Sequence, residues 1–108
     1  MTRMEVFKNL AKDNGLIIQV TGHVYRAWFG DKDFIMGLNN NKDYPFLEIA
    51  TKVIHGKFML FQQHKNVSKQ AYNKLNEQIK QLIGEFKDYQ VNEKLGRIKN
   101  DFWLRWYG

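Results

Sequence analysis

The chain has a helical pattern of apolar positions at its two ends and a strand pattern between them. Apolar residues at helical spacing predict a short helix over Arg3–Asp13, which Asn14-Gly15 ends. From about Ser68 the apolar positions again follow one helical stripe, and polar residues occupy the opposite face. Asn66 or Ser68 is the expected N-cap of this long amphipathic helix. The stripe comprises Ala71, Tyr72, Leu75, Ile79, Leu82, Ile83, Phe86 and Tyr89.

Five segments rich in β-branched or aromatic residues are predicted to be strands. They are Leu16–Val20, Val24–Phe29, Phe34–Leu38, Leu47–Ile54 and Lys57–Gln63. The second and third are expected to form a β-hairpin, and His55-Gly56 is expected to form a two-residue turn. Both faces of the fifth segment are apolar, so we expect a central strand that is covered on both sides.

The last segment of the chain fits two structures. Val91, Leu95, Ile98, Phe102 and Trp106 share one helical face, which favours a shorter C-terminal helix, although a glycine within it weakens that helix. The alternative is a turn followed by a short strand that ends at Tyr107.

The order of these elements predicts an α+β fold. Strands that are clustered in sequence, with helices at the ends, favour a mostly antiparallel sheet of about five strands. We therefore expect one domain over residues 1–108, with an N-terminal helix, the sheet, the long amphipathic helix and a shorter C-terminal helix.

Composition narrows the function classes. The chain contains no cysteine, which excludes disulfides, thiolate metal sites and a cysteine nucleophile. No apolar run is long enough to span a membrane, and no apolar core of a secretory signal is present, so we expect a cytoplasmic protein. Lysine outnumbers arginine 13 to 4 and there are 10 asparagines, which is typical of AT-rich coding sequence and favours a phage or plasmid of a low-GC bacterium.

Positive charge is concentrated in one segment of the chain. The formal net charge is +6, and no acidic residue occurs between Glu48 and Glu77. Local positive charge without counter-charge is typical of surfaces that bind polyanions, although a solvated lysine-rich face gives the same pattern. The lysines of this segment are Lys52, Lys57, Lys65, Lys69 and Lys74.

The expected start of the long helix lies inside this acid-free segment. Lys65 and Lys69 flank Ser68 there. Free backbone N–H groups and the helix dipole favour an anion at such a position, so a phosphate is one candidate ligand. An ordinary capped helix start is the alternative.

Aromatic and basic residues alternate near the C-terminus and, less densely, on the first hairpin. The basic members of the C-terminal group are Arg97, Lys99 and Arg105, and its candidate aromatic residues are Trp103, Trp106 and Tyr107. Tyr25 and Trp28 flank Arg26 on the hairpin. Such aromatic residues are expected either in the core, or in a homodimer or protein interface, or stacked on nucleic-acid bases.

The three histidines suggest a weaker alternative. His55 and His64, with Lys57 nearby in sequence, resemble the acid–base set that a small toxin-like ribonuclease needs. No spacing typical of a metal site or a phosphate-binding glycine-rich loop occurs, so we expect neither metal nor cofactor.

The pattern as a whole favours a small nucleic-acid-binding accessory protein, with DNA preferred over RNA and duplex DNA as the main partner. A protein-binding inhibitor or adaptor that acts through an aromatic surface is the first alternative, and the ribonuclease is the second. The charges and aromatic residues are not segregated as in a membrane-surface helix, so no membrane partner is expected.

Overall fold

The fold begins with a short helix that matches its predicted bounds. The computed structural model describes residues 2–31 and 33–107, with side chains described through residue 93. Helix α1 covers Arg3–Asp13. The Thr2 hydroxyl caps it by accepting a hydrogen bond from the backbone N–H of Glu5 at 3.2 Å. The helix ends where Gly15 takes a φ of +63°, a conformation that glycine adopts without strain.

The described residues form seven strands in two antiparallel sheets. In chain order they are β1 (Ile17–Thr21), β2 (Val24–Phe29), β3 (Asp33–Asn39), β4 (Phe46–Ile49), β5 (Lys52–Ile54), β6 (Lys57–Met59) and β7 (Gln62–Gln63). The larger sheet has the order β1-β2-β3-β4-β7, and β5 and β6 pair separately. The α+β class and the five-stranded antiparallel sheet are therefore as predicted.

Two of the predicted strands are each divided in the structure. The segment predicted as Leu47–Ile54 becomes β4 and β5, and the segment predicted as Lys57–Gln63 becomes β6 and β7. The chain leaves the large sheet at Ala50, whose N–H donates to the carbonyl of Ile35, and returns to it after Leu60, which has a φ of +55°. The predicted turn at His55-Gly56 is confirmed, because both residues have the positive φ that a type I′ hairpin turn needs.

The expectation that Lys57–Gln63 forms a central, doubly covered strand is wrong. β6 belongs to a two-stranded sheet and buries only Phe58, whereas Met59 and Leu60 are 42% and 57% exposed. The residues from Phe58 to Phe61 are all apolar, but of these four side chains Phe58 alone is buried. The reason is that the β5–β6 hairpin packs on the rest of the fold through one face only.

A single helix forms the C-terminal part of the chain. Helix α2 runs from Lys69 to Tyr107 without a break, so the structure has two helices rather than the three predicted. Ser68 is its N-cap, because its hydroxyl accepts a hydrogen bond from the backbone N–H of Ala71 at 3.1 Å. The last segment is helical rather than a strand, but it continues the long helix and does not form a shorter second one.

Both helices pack on the same side of the large sheet. The ring of Phe7 on α1 meets the ring of Tyr25 on β2 edge-on, with centroids 6.2 Å apart. Farther along, Phe86 on α2 contacts Phe29 edge-on and stacks on Phe58 of the small sheet. The largest fully buried side chains are Phe7, Leu10, Ile35, Met36, Leu38, Leu47, Ile49, Ile79 and Val6. We call the side of the sheet that carries the helices the inner face and the opposite side the outer face.

Candidate functional site

The outer face of the large sheet carries a row of aromatic side chains beside an arginine. Residues directly opposite each other on paired strands share a face, and residues two apart on one strand do the same. Trp28 lies opposite both Ile17 and Phe34, and Arg26 lies opposite Gly37. Tyr25 and Ala27 point to the inner face, so Arg26, Trp28 and Phe34 share the outer one.

These side chains contact one another. The rings of Trp28 and Phe34 meet edge-on with centroids 5.5 Å apart, and Phe34 packs at 5.3 Å against Phe61, which precedes β7. The Arg26 guanidinium lies over the Phe34 ring, 5.4 Å from its centroid. Arg26 is exposed, whereas the three aromatic rings are half-buried. The result is an aromatic platform with a cation on its surface, which we call the aromatic row (Arg26, Trp28, Phe34 and Phe61).

A β-bulge produces this arrangement. Ala27 pairs with Met36, but the next residue, Trp28, pairs with Phe34, so Ile35 is an extra residue on β3. The extra residue shifts the alternation of β3, which turns Phe34 to the outer face beside Trp28 while Ile35 stays buried. Sequence reasoning missed Phe34, because a bulge leaves no reliable signal in a run of apolar residues. It missed Phe61, because the division of the predicted fifth strand at Leu60 is not visible in the pattern.

The structure separates two residues that the sequence groups together. Tyr25 and Trp28 are both candidate stacking residues by sequence. Tyr25 lies on the inner face, where its ring packs against the core and contacts Phe7. Of the two, Trp28 is on the outer face, and its indole N–H is buried without a hydrogen-bond partner.

Two of the lysines of the acid-free segment lie on the small sheet. Lys52 pairs with Met59 and Ile54 pairs with Lys57, so these four side chains share one face of the hairpin. Val53 and Phe58 occupy the other face, and Phe58 stacks on Phe86 of α2. Lys52 and Lys57 are both exposed.

Two lysines of the acid-free segment lie near acidic residues from other parts of the folded chain. Glu85 of α2 lines the same groove as Lys52, a cavity of about 340 Å³ between β5 and α2. Lys57 lines a second cavity of about 590 Å³ together with Asp33 and Glu93. Lys52 and Lys57 thus share their surroundings with carboxylates, which reduces the local positive potential.

The remaining members of the segment, Lys65, Ser68, Lys69 and Lys74, are exposed around the start of α2. The Ser68 hydroxyl already accepts the hydrogen bond that caps the helix. One turn later the Tyr72 hydroxyl donates a hydrogen bond to the Asp13 carboxylate, and burial and this carboxylate together raise the pKa of Tyr72 to about 12. Lys65 follows the last strand by two residues and lies at the β7 edge of the sheet.

The C-terminal candidates lie outside the residues whose side chains are described. They are Arg97, Lys99, Trp103, Arg105, Trp106 and Tyr107. The backbone that carries them is helical throughout.

His55 and His64 lie near opposite ends of β3. His55 lines the larger cavity beside Asp33, at the start of this strand. His64 donates its backbone N–H to the carbonyl of Leu47, which pairs with Leu38 near the end of the strand. Five residues of strand correspond to about 16 Å, a separation that does not favour a shared acid–base step.

His64 is itself in an unusual environment. Its Nε2 atom is buried and has no hydrogen-bond partner. Burial lowers the pKa of its imidazole, because desolvation penalises the charged form.

Over the residues described, no three His, Asp or Glu side chains come close enough together to hold a metal ion. Neither helix, over the same residues, is long and apolar enough to cross a bilayer.

Comparisons with known proteins give no match: no protein-family model, no curated protein and no solved structure is similar to this chain.

Proposed function

We propose that this protein binds nucleic acid, with its outer sheet face stacking on unpaired bases and nearby lysines contacting phosphates. The observation that carries the proposal is the aromatic row on the outer face of the sheet, whose Trp28 and Phe34 also line the cavity of about 590 Å³ that borders α2. Aromatic rings and arginine planes on an open sheet are well suited to single-stranded nucleic acid, because every unpaired base offers a flat face to them. Duplex DNA, which the sequence favours, is stacked internally and offers no such faces along its length.

The positions of two exposed lysines support the same placement of a nucleic-acid strand on the outer face. Lys65 lies at the β7 edge of the sheet, two residues beyond Gln63, whose side chain donates to Glu48 on the outer face. Lys69 begins α2 just after it. Neither lysine forms an ion pair within the described part of the chain. Lys65 follows His64, which lies at the far end of β3 from Phe34, so a strand of several nucleotides is needed to place bases on Trp28 and Phe34 and phosphates on these two lysines.

The net charge of +6 adds a long-range contribution that does not depend on sequence. The composition favours an accessory protein that acts in the cytoplasm, encoded by a phage or plasmid of a low-GC bacterium. DNA and RNA oligonucleotides are therefore separate arms of the test, each offered as a single strand and as a duplex.

The first experiment measures fluorescence anisotropy of labelled oligonucleotides at several salt concentrations. We expect single strands to bind more tightly than duplexes, with an affinity that falls as salt rises. Replacing Lys65 and Lys69 by Gln removes two phosphate contacts, so the log–log salt slope should become shallower by about 1.4 for single strands. The matched control replaces Lys8 and Lys12 on α1 by Gln; it removes the same charge from another surface and should leave the slope nearly unchanged.

The second experiment tests the aromatic row. Stacking of one base on an aromatic ring is worth about 1–3 kcal/mol, so Trp28→Leu should weaken single-strand binding about 5- to 150-fold while its salt slope stays the same. Tyr44→Leu is the control, because Tyr44 is 77% exposed in a loop away from the row. If no oligonucleotide binds even at low salt, the proposal is wrong.

A further inference from the structure

The first strand of the sheet is an unprotected edge. Within the described part of the chain, strand β1 pairs only with β2, so one row of its backbone N–H and C=O groups points away from the sheet. All five of its residues are exposed, and Ile17, Ile18 and Val20 are 59%, 38% and 52% exposed. The opposite edge, β7, is only two residues long and consists of two glutamines.

Edge strands are normally blunted by charge, proline, a bulge or very short length. Strand β1 has none of these devices. No charged residue and no proline occurs from residue 14 to residue 22, and its pairing with β2 is regular over all five residues. A regular, uncharged, largely apolar edge of this length is an interaction surface unless another strand covers it.

The side chains of β1 are arranged so that the strand complements itself. In an antiparallel pair of two β1 strands centred on Gln19, Ile18 of one chain lies opposite Val20 of the other. The same register places Gln19 opposite Gln19 and Ile17 opposite Thr21. Apolar residues therefore meet apolar ones on the inner face, and the two amides meet on the outer face.

The inner-face part of this contact continues the existing core. Ile18 and Val20 lie opposite Ala27 and Tyr25 of β2, and Tyr25 packs against Phe7 and the buried cluster. A second copy would therefore bury Ile18 and Val20 against side chains that already border the core. The absence of charge from the strand also matters, because each chain carries +6 and any charged residue near the centre would meet its own copy.

We propose that the protein forms a two-fold symmetric homodimer in which two β1 strands pair antiparallel about Gln19 and join the two sheets into one of ten strands. Such an isologous contact closes on itself and leaves no free β1 edge. The proposal does not depend on the proposed function. In the dimer the two outer faces form one continuous surface with an aromatic row in each half.

The oligomeric state is measured on the full chain by sedimentation equilibrium and light scattering, from micromolar to submillimolar concentration. We expect a reversible monomer–dimer equilibrium that strengthens as salt screens the repulsion between two positive chains. Nucleic-acid binding should show the opposite salt dependence, so the two proposals can fail separately. A chain that stays monomeric at the highest concentration, or that forms open-ended aggregates in place of dimers, would overturn the dimer.

Variants locate the interface. Gln19→Lys places two like charges opposite each other in the dimer, and it should weaken dimerisation by at least about tenfold. Gln62→Lys makes the same change on the opposite edge and should leave the dimer intact. If the dimer survives the change at Gln19 and is lost with the change at Gln62, the interface is at the wrong edge and the proposal fails.

A cysteine crosslink gives a readout that does not depend on affinity. The natural chain has no cysteine, so Gln19→Cys introduces a single thiol per chain. Opposed residues of an antiparallel pair have Cβ atoms about 4.5–5.5 Å apart, close to the separation a disulfide needs. Mild oxidation should crosslink this variant to a dimer, and the matched Gln62→Cys variant should stay monomeric on a non-reducing gel. Equal crosslinking of both variants would contradict the proposed register.

Discussion

At the scale of single residues, Gly56 affects both the backbone of the small-sheet turn and the contact of that turn with α2. Gly56 has a φ of +76°, which β-carbon-bearing residues adopt only with strain. A Cβ at this position would also lie 2.6 Å from Cε1 of Tyr89 on α2. The turn therefore needs glycine for its backbone and for the contact with the helix.

We expect Gly56→Ala to lower the free energy of unfolding by about 1–3 kcal/mol, because it adds backbone strain and displaces the Tyr89 ring. Gly84→Ala is the control, since Gly84 lies within α2 with open space around it and alanine favours the helix by about 0.5–1 kcal/mol. Urea denaturation of both variants measures the difference. Equal effects of the two changes would show that the Tyr89 contact has no consequence.

Tyr72 provides a pH-dependent test at the same scale. Its pKa is about 12 in the folded protein, against 10.0 for an unperturbed tyrosine, so folding favours the neutral hydroxyl. This contribution to stability is present below pH 10 and is lost as the pH rises through about 12. We expect a spectrophotometric titration to show one late-ionising tyrosine that disappears in Tyr72→Phe. Tyr44→Phe should leave the late component in place, and its loss there would contradict the assignment.

At the scale of elements, contacts between aromatic rings join the small sheet to the long helix. The rings of Phe58 and Phe86 are stacked at 5.0 Å with an interplanar angle of 20°. The Asp33 carboxylate of β3 accepts a hydrogen bond from the Phe58 backbone N–H at 2.9 Å. Helix α2 and strand β3 thus hold the hairpin at one position, although it shares no ladder with the large sheet.

A double-mutant cycle measures this coupling. We expect Phe58→Leu and Phe86→Leu to show a coupling free energy of about 0.5–1.5 kcal/mol, as ring pairs in contact usually do. Phe58→Leu combined with Leu10→Ala on α1 should be additive, because α1 packs mainly on β3, β4 and α2, whereas β6 packs mainly on β5, β3 and α2. Additivity in the first cycle would mean that the stacked geometry contributes nothing beyond burial.

Two substitutions at Ser68, the N-cap of α2, distinguish its role in helix stability from a role in nucleic-acid binding. Ser68→Ala removes the acceptor for the Ala71 N–H and should lower stability by about 1 kcal/mol. Ser68→Asp keeps a capping oxygen and should retain stability, but it adds a negative charge between Lys65 and Lys69. If these lysines contact phosphates, the aspartate variant binds nucleic acid more weakly than the alanine variant does, and anisotropy titrations compare the two.

At the scale of the whole molecule, α2 makes the protein elongated. A helix of 39 residues is about 58 Å long, and the longest dimension of the molecule is 62 Å. The Cα radius of gyration is 17.3 Å, whereas a compact chain of this length has about 13 Å.

Small-angle X-ray scattering of the Gln19→Lys monomer should therefore give a radius of gyration near 17 Å. The variant is used so that dimerisation does not add to the measured size. A value near 13 Å would show that the helix does not extend from the rest of the fold.

The local pattern of the sequence determined most of the elements. The bounds of α1 and the turn at His55-Gly56 follow from spacing, capping chemistry and glycine, which act over a few residues. The same signals limited the N-cap of α2 to Asn66 or Ser68, and the structure selects Ser68. The α+β class follows from the order of those elements. The continuity of α2 was missed because the weakening effect of Gly96 and the polar residues after Tyr89 suggested a break in the pattern.

Only the tertiary structure decided which residues share a surface. The bulge at Ile35 turns Phe34 beside Trp28, and Tyr25, three positions from Trp28, faces the core. Glu85 of α2 lines the same groove as Lys52, so the acid-free segment lies next to a carboxylate in the folded protein. Alternation along a strand is local, but register, bulges and helix placement depend on long-range packing. Sequence alone therefore predicted most of the elements of this protein, and binding of polyanions stays a prediction, whereas the location of the aromatic row and of the unprotected edge strand required the fold.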